Sequence, residues 1–449
     1  MLWASEVTMG RRVIGCLLAL LVAGCGGPAP TPAPSVGPAT TYGPIPVPSA
    51  QASPGRCPPG TACFTPVPAG SLGPSAAVTP SIPLPTVAPP VPPITFPSGT
   101  VETLPSGTFA LAAGKAYTLT APAEPYPPLT LAEVSLASGA RRTLATRPVG
   151  HTLSSLVLDG DHILWVESWY AHPQPAQGET GGNPNAGQPL LWQIVSYSLS
   201  SGTLSVRATG QTSYLPLIGE GASPQPPVLA ADGDRVAFAE STGTNGVPAS
   251  AIFVRALSTN ALLRFIHATG YVVQVGLAGQ ALFYRQTTDG FTFDSTLMLA
   301  RSDTERPFQM DTKVGDAAMD GQWLVWSRSN TSDASIWMAS LALGIPGRLP
   351  PVQVPGPSLP ITQSGPTWNV AVGNGVVAWI VWYTGADNAA DSDLVLRRPG
   401  EIEGRVVAGQ RQPDWVAVQD GMLLWHESLP LPGHPDTHAV SLSAIPAMP

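Results

Sequence analysis

Seven copies of one short pattern recur through most of the chain and limit what it can fold into. Each copy has a small or apolar stretch, a tight turn with glycine or asparagine, and then an apolar strand carrying one aromatic residue. The aromatic residues are Tyr117, Trp165, Phe238, Tyr284, Trp326, Trp379 and Trp425. Glycine and asparagine tolerate the positive φ that tight hairpins require. The copies therefore predict repeated β-hairpins.

Each hairpin is followed by further strand-like segments, such as 251–257 and 335–341. The turns fall at 114, 160, 233, 279, 321, 374 and 421, mostly 42 to 53 residues apart. Four short strands in that length are typical of a propeller blade. Residues 99–449 are therefore predicted to form an all-β, seven-bladed β-propeller of four-stranded antiparallel blades. The alternative is a six-bladed ring in which one unit is irregular.

Two copies carry a more specific resemblance. Residues 232–241 read Asp-Gly-Asp-Arg-Val-Ala-Phe-Ala-Glu-Ser, and residues 320–326 read Asp-Gly-Gln-Trp-Leu-Val-Trp. An Asp-Gly turn followed by an apolar-aromatic strand resembles the TolB-like β-propellers. The resemblance implies a propeller over residues 99–449, with a role as a sensor or accessory part of a cell-envelope complex as one possibility.

The last copy is short of a strand. After Trp425 only 438–442 looks like a third strand, and prolines follow at 446 and 449. A surplus strand, 100–104, precedes the first copy. An unpaired edge would expose backbone hydrogen-bonding groups. We therefore expect 100–104 to pair with 438–442 and close the ring.

The N-terminus has the features of a secretory signal. Arg11 and Arg12 precede an apolar run over 13–22, which is too short for an ordinary membrane-spanning helix. The segment Val22-Ala-Gly-Cys25 resembles the lipobox of bacterial lipoproteins. That resemblance implies a signal peptide over 1–24 and acylation of Cys25. The expected location is the cell envelope, outside the cytoplasm, with a lipid anchor in the membrane; the alternative is an ordinary signal peptide.

Residues 25–98 are predicted to be a disordered linker, because proline takes 22 of the 71 positions from 28 to 98. Cys57 and Cys63 flank a Pro-Pro-Gly turn within it. We expect them to form a small disulfide loop, since an exported protein can keep one. Metal binding is the alternative for this pair.

Composition excludes one class of partner. The net charge is −8 and only 11% of residues are charged, so a basic nucleic-acid footprint is absent.

The sequence also lacks the motifs of nucleophilic catalysis. Neither a Gly-x-Ser-x-Gly elbow nor a cysteine outside the linker and signal is found. No cofactor is predicted, and an enzyme is the less favoured reading.

Propeller loops that join strands two to three and four to one gather on one face. The longest such loop, 168–189, contains Trp169 and Tyr170, while Trp368 and Trp415 stand near the starts of innermost strands. These four aromatic residues are the predicted binding residues of that face. The alternatives are a disordered loop for the first pair and burial in the core for the second.

Other polar groupings give weaker predictions. Residues 387–393 suit calcium or a solvated loop, and His434 with His438 is a poor metal pair among prolines. Glu167, Glu240 and Glu427 end second strands and are expected to stay hydrated. The enzyme alternative, with a metal in the channel, would need His151, Asp316, Asn369 and Asp414 to converge from different innermost strands.

The sequence thus favours a membrane-anchored, extracytoplasmic binding or scaffold propeller. It would recognise an unidentified protein, peptide or glycan, without nucleic acid, and as a monomer. The alternatives are a propeller hydrolase or lyase, or an accessory component of an envelope complex.

Overall fold

The computed structural model describes fourteen stretches of the chain. They are 92–105, 107–120, 129–148, 150–172, 188–212, 225–243, 247–288, 295–329, 334–342, 352–354, 364–384, 390–409, 412–427 and 437–445. The predicted signal peptide, Cys25, and the pair Cys57 and Cys63 lie outside these residues. Within them, no helix is long and apolar enough to cross a membrane.

Strands make up nearly all of the regular structure. Their bounds are β1 Val101–Leu104, β2 Thr108–Ala112, β3 Lys115–Thr120, β4 Thr130–Ser135, β5 Arg141–Thr146, β6 Thr152–Asp159, β7 His162–Tyr170, β8 Leu190–Ser198, β9 Leu204–Thr212, β10 Val228–Asp232, β11 Arg235–Ser241, β12 Ser250–Ala256, β13 Leu262–Ala268, β14 Tyr271–Ala278, β15 Ala281–Thr287, β16 Ser295–Ala300, β17 Phe308–Met319, β18 Trp323–Ser329, β19 Ala334–Ser340, β20 Val352–Val354, β21 Ser364–Gly373, β22 Val376–Thr384, β23 Ala390–Arg397, β24 Arg405–Val406, β25 Pro413–Gln419, β26 Met422–Glu427 and β27 Thr437–Ser441. A 3-10 helix, Leu442–Ala444, follows β27.

Five antiparallel sheets have four strands each, and we name them blades A to E. Blade A is β2–β5, blade B is β6–β9, blade C is β10–β13, blade D is β21–β24, and blade E is β25–β27 with β1. The sixth sheet, β14–β20, has seven strands and is called the double sheet. First strands of successive sheets contact one another, so they surround a common axis.

The prediction of seven four-stranded blades, and its six-bladed alternative, is wrong, because the described residues form only five such blades. Two sequence copies merge in the double sheet through the continuous strand β17. Val314 pairs with Ser295 of β16 and also with Arg328 of β18. The turns at Gly279 and Gly321 are only 42 residues apart. That spacing, the shortest in the chain, leaves no loop to separate the two copies.

The expected closure between the two ends of the domain is confirmed. Strand β1 pairs antiparallel with β27, from Val101 opposite Val440 to Leu104 opposite Thr437. Leu104 is fully buried by this pairing. Just before β1, the buried Ile94 forms a parallel bridge with Val407 beside β24. The segment 94–104 therefore joins two neighbouring blades.

The aromatic residue of every sequence copy packs in the core, as the repeat predicts. All seven are at most 3% exposed. Trp165, for example, lies in an apolar cluster that contains Ala110 and Tyr117 of blade A together with Ile163 of blade B. These rings fill the wedges between adjacent sheets, where large apolar side chains remove the most surface from water.

The aspartates of three hairpin turns tie their sheet to the next one. Asp320 accepts a hydrogen bond from the Gly375 amide at 3.4 Å, and Asp420 accepts one from the Ala113 amide at 3.4 Å. The Gly279 amide donates to Asp232 in the same way. The aspartate of an Asp-Gly turn thus satisfies a backbone donor of the following sheet, while glycine supplies the turn's backbone geometry.

Candidate functional site

Polar side chains gather at the end of the sheets opposite the hairpin turns, which we call the polar face. It is formed by the starts of first strands and the ends of second strands, including His151, Glu167, Asp316, Asn369 and Asp414. Bulges mark the first strands at this end. They fall between 108 and 110, 154 and 157, 272 and 274, 314 and 316, 368 and 370, and 413 and 415. A bulge redirects a side chain out of the regular alternation.

Glu167, at the end of β7, is the centre of one polar cluster. Its carboxylate has no exposed surface and accepts hydrogen bonds from Arg147 and from Gln193, the latter at 2.8 Å. His151 Nδ1 contacts the other carboxylate oxygen. Three partners from the end of blade A, the connection to blade B and strand β8 therefore compensate a fully buried charge.

The protonation of Glu167 follows from two opposed effects. Burial raises the pKa of Glu167, whereas hydrogen bonds from His151, Gln193 and Arg147 lower it. The hydrogen bonds outweigh burial, so the pKa lies below its ordinary value. Glu167 is therefore ionised at neutral pH. The expectation that it remains hydrated at a strand end is wrong, because these partners replace water.

Trp169 stands on this cluster at the polar face. Its ring stacks on the His151 imidazole with centroids 4.7 Å apart and planes 9° apart. Trp169 and the neighbouring Tyr170 are both half-buried at the end of β7. The buried Glu167 fixes His151, and His151 supports Trp169. The result is an aromatic side chain held in place with part of its surface still accessible.

A second polar chain crosses the double sheet. Arg285 of β15 is buried and donates to Gln274 at 2.9 Å and to Asp316 at 3.2 Å. Burial lowers the pKa of Arg285, and the neighbouring Asp316 offsets part of that effect. The other oxygen of Asp316 accepts from the Val370 amide of blade D at 2.8 Å. Asp316 therefore links the double sheet to blade D.

The chain continues into blade E. Asn369, with φ of 59°, donates from its side chain to the carbonyl of Asp414 at 2.5 Å. The Asp414 carboxylate lies 2.6 Å from His426 Nδ1. Three of the four residues proposed for a channel metal, Asp316, Asn369 and Asp414, are thus used to join neighbouring sheets. His151 belongs to the separate Glu167 cluster.

The remaining predicted aromatic residues take different places. Trp368 lies in β21 opposite Ile380. Trp415 lies in β25 opposite His426 and packs, partly buried, against an apolar cluster that includes Leu104, Leu111 and Leu424. Trp415 therefore fills the seam between blades E and A. Among the described residues, no contact between aromatic rings connects Trp415 with Trp169.

Some residues of the weaker metal predictions lie within the described stretches and others lie outside them. Asp387, Asn388 and His434 lie outside the described residues. The Tyr383 hydroxyl donates to Asp391 at 3.3 Å. Burial raises the pKa of the neighbouring Asp393. His438 stacks on Trp425 with centroids 5.4 Å apart. Across the described ranges, no three His, Cys, Asp or Glu side chains converge as metal ligands would.

Arg147, Gln193 and Arg285 are the site residues that sequence reasoning missed. Arg147 and Gln193 come from different blades and carry no shared motif. The available signal was the second-strand position: Glu167 stands seven residues after the turn glycine at 160, and Glu240 seven after 233. The recurrence identifies the position, but of these two glutamates only Glu167 has hydrogen-bond partners from other segments among the described residues.

No family model matches the sequence, and no curated protein matches it. Among solved structures, similarity to an acylaminoacyl peptidase from Pyrococcus horikoshii covers 72% of this chain and 48% of that one, at 10% identity and a TM-score of 0.45. This chain thus spans about half the length of that peptidase. Oligogalacturonate lyase in complex with manganese is matched over 74% of this chain and 86% of that one, at 11% identity and a TM-score of 0.45.

TolB from Acinetobacter baumannii is also similar, at 16% identity over 65% of each chain and a TM-score of 0.34. The three proteins have different activities or roles by name. At this level of similarity the function of the present chain is argued from its own residues.

Proposed function

We propose that this chain is a lipid-anchored, extracytoplasmic binding or scaffold propeller that recognises its ligand with the polar face. The ligand class remains that expected from the sequence: a protein, a peptide or a glycan. The observation that carries the proposal is the Trp169–His151 stack, supported from below by buried Glu167.

This arrangement suits binding because the anchor is rigid before the ligand arrives. Aromatic residues dominate the binding energy of many interfaces when they are held in one conformation. Ordering a side chain on binding costs affinity, and that cost is already met for Trp169 by its stack on His151. The proposed acylation of Cys25 would place the face beyond the membrane, at the end of the proline-rich linker.

The test is an array of envelope-derived peptides and glycans probed with the full chain. Trp169→Ala is expected to lower affinity for the bound probes about tenfold, the effect of losing one aromatic anchor. Ile402→Ala is the matched control, because Ile402 is 80% exposed and lies at the hairpin-turn end of blade D. Binding that survives Trp169→Ala unchanged, or that falls equally in both variants, contradicts the proposal.

A further inference from the structure

The hairpin between β21 and β22 turns through Asn374 and Gly375, at the end of blade D opposite the polar face. Gly373 pairs with Val376, so only these two residues form the turn. Both have positive φ, 53° for Asn374 and 74° for Gly375, which is the geometry of a tight hairpin turn. The turn is separate from the groups that carry the proposed function.

Asn374 differs from the other asparagines that the structure describes. Its side chain is exposed, and no hydrogen bond to it is found in the described part of the chain. Asn369, by contrast, donates its side-chain amide to a carbonyl of blade E and precedes Val370. Asn260 precedes Ala261. Of these three asparagines, only Asn374 is followed by a glycine.

A glycine after asparagine matters because no Cβ shields the peptide nitrogen that joins them. That nitrogen can attack the side-chain amide carbon of the asparagine. The new C–N bond closes a five-membered succinimide ring, and ammonia leaves. Water then opens the ring at either carbonyl, which gives aspartate or isoaspartate. The net change is amide plus water to carboxylate plus ammonium, so no oxidant or reductant is needed.

The attacking nitrogen is held only weakly in this turn. The Gly375 N–H donates to the Asp320 carboxylate at 3.4 Å, which is long for a hydrogen bond of this kind. The nitrogen therefore loses little stabilisation when it leaves that bond. The exposed Asn374 amide can rotate toward it.

We propose that Asn374 is a site of spontaneous deamidation, at which the folded protein gains one negative charge with age. The new carboxylate would stand at the seam between blades D and E, where Asn374, Arg398 and Asp420 line a cavity of about 540 Å³. It adds to a net charge that is already −8. The modified chain should therefore separate from the parent by ion exchange.

Two other turns of the fold indicate which product the hairpin accepts. Ala113 and Asp420 each precede a glycine at the equivalent turn position, with φ of 49° and 47°. Aspartate at position 374 thus fits a conformation that Asp420 already adopts. Isoaspartate instead adds one backbone carbon to a two-residue turn, which disturbs the register of β21 against β22.

The experiment incubates the full chain below its melting transition at about pH 8.5, because the attacking nitrogen must lose its proton. Peptide mass mapping follows each asparagine, since deamidation adds about one dalton. Asn374 is expected to convert about tenfold or more faster than Asn260 and Asn369, whose neighbours carry a Cβ. The other Asn-Gly pair, 245–246, lies outside the described residues and is followed in its own peptide.

Asn374→Ala is the matched control, because Ala113 takes the same turn conformation in blade A. It should melt with the parent chain and form no acidic product at this position. Asn374→Asp marks where the aspartate product elutes and melts, and the isoaspartate product should melt lower. An Asn374 peptide of constant mass, or conversion no faster than at Asn260 and Asn369, overturns the proposal. Equal melting of the two products would contradict the account of the turn.

Discussion

Glu167 shows how much a single residue can depend on its partners. The same residue type ends other second strands in the repeat, yet only Glu167 is placed where Arg147, His151 and Gln193 reach it from three directions. A charge without that set of partners would be expelled from the core or protonated. The position is therefore specified by the surrounding blades more than by its own strand.

Replacing Glu167 by Gln should lower the free energy of unfolding by about 3–5 kcal/mol, since it leaves the mostly buried Arg147 without its carboxylate. Chemical denaturation at pH 7 measures the change. Glu133→Gln is the control, because its partners Lys115 and Arg142 are well exposed and the substitution should cost about 1 kcal/mol or less. Equal losses in the two variants would contradict the account of the cluster.

The pH dependence of stability should have opposite signs at Glu167 and Glu240. The pKa of Glu167 is lowered on folding, so its contribution is present above the ordinary value near 4.5 and is lost as pH falls through the folded pKa. The pKa of Glu240 is raised by burial, so stability declines as pH rises from about 4.5 through the folded pKa.

Glu240→Gln should remove that decline and melt at least as high as the unsubstituted chain at pH 7. Melting curves from pH 4 to 8 test the sign. A decline of unchanged slope in Glu240→Gln would show that another group causes it.

Among the structural elements, β1 closes the ring by pairing with β27 and burying Leu104. Deleting residues 99–106 should lower the free energy of unfolding by about 3 kcal/mol or more, the scale of removing one buried leucine. Deleting residues 28–90 should leave the melting temperature unchanged. If both truncated proteins melt with the full chain, β1 does not stabilise the ring.

Element by element, the sequence allows the hairpins, the buried aromatics and the closing strand to be predicted, because each follows from a local pattern. Turn glycines fix the hairpins, and prolines at 446 and 449 are poor ladder residues, which directs the search for a partner of β27 to 100–104. The number of separate blades does not follow from such patterns. Strand β17 is both the last strand of one sequence copy and the first strand of the next. The pairing of Val314 with β16 and with β18 shows that the two copies share this strand.

The polar face was foreseen only in part. The sequence predicts Trp169 in the loop 168–189, whereas Trp169 and Tyr170 lie at the end of β7. The support of Trp169 by His151 and Glu167 depends on the distance between blades, which no single strand encodes.

For the whole molecule, the first prediction concerns location. Cys25→Ser should move the protein from the membrane fraction to the soluble fraction of a bacterial host, because two acyl chains hold a protein at a membrane and an unmodified serine does not. Fractionation followed by immunoblotting measures the distribution. Membrane association equal to that of the unsubstituted chain would refute lipidation at Cys25.

The linker supplies a second prediction. Cys57 and Cys63 should form a disulfide in the exported protein, so the peptide that contains both should be two hydrogens lighter than its dithiol form in mass spectrometry without reduction. Reduction should leave the melting temperature of the propeller unchanged, because the pair precedes the described strands. Complete alkylation of both thiols before reduction would count against the bond.

The closing strand has a mechanical consequence. Tension that reaches the described strands from the N-terminal side is applied first at Pro92, whose carbonyl accepts from Arg405 Nε at 3.1 Å. It is applied next at Ile94, whose amide donates to the Val406 carbonyl at 2.7 Å, and then along β1. A pull parallel to β1 loads its bonds to β27 together, as a shear, whereas a pull across the strand opens them one at a time. The segment 94–104, which completes the ring, therefore also resists unfolding by force applied from the N-terminal side. The direction of that force decides how large it must be to separate β1 from β27.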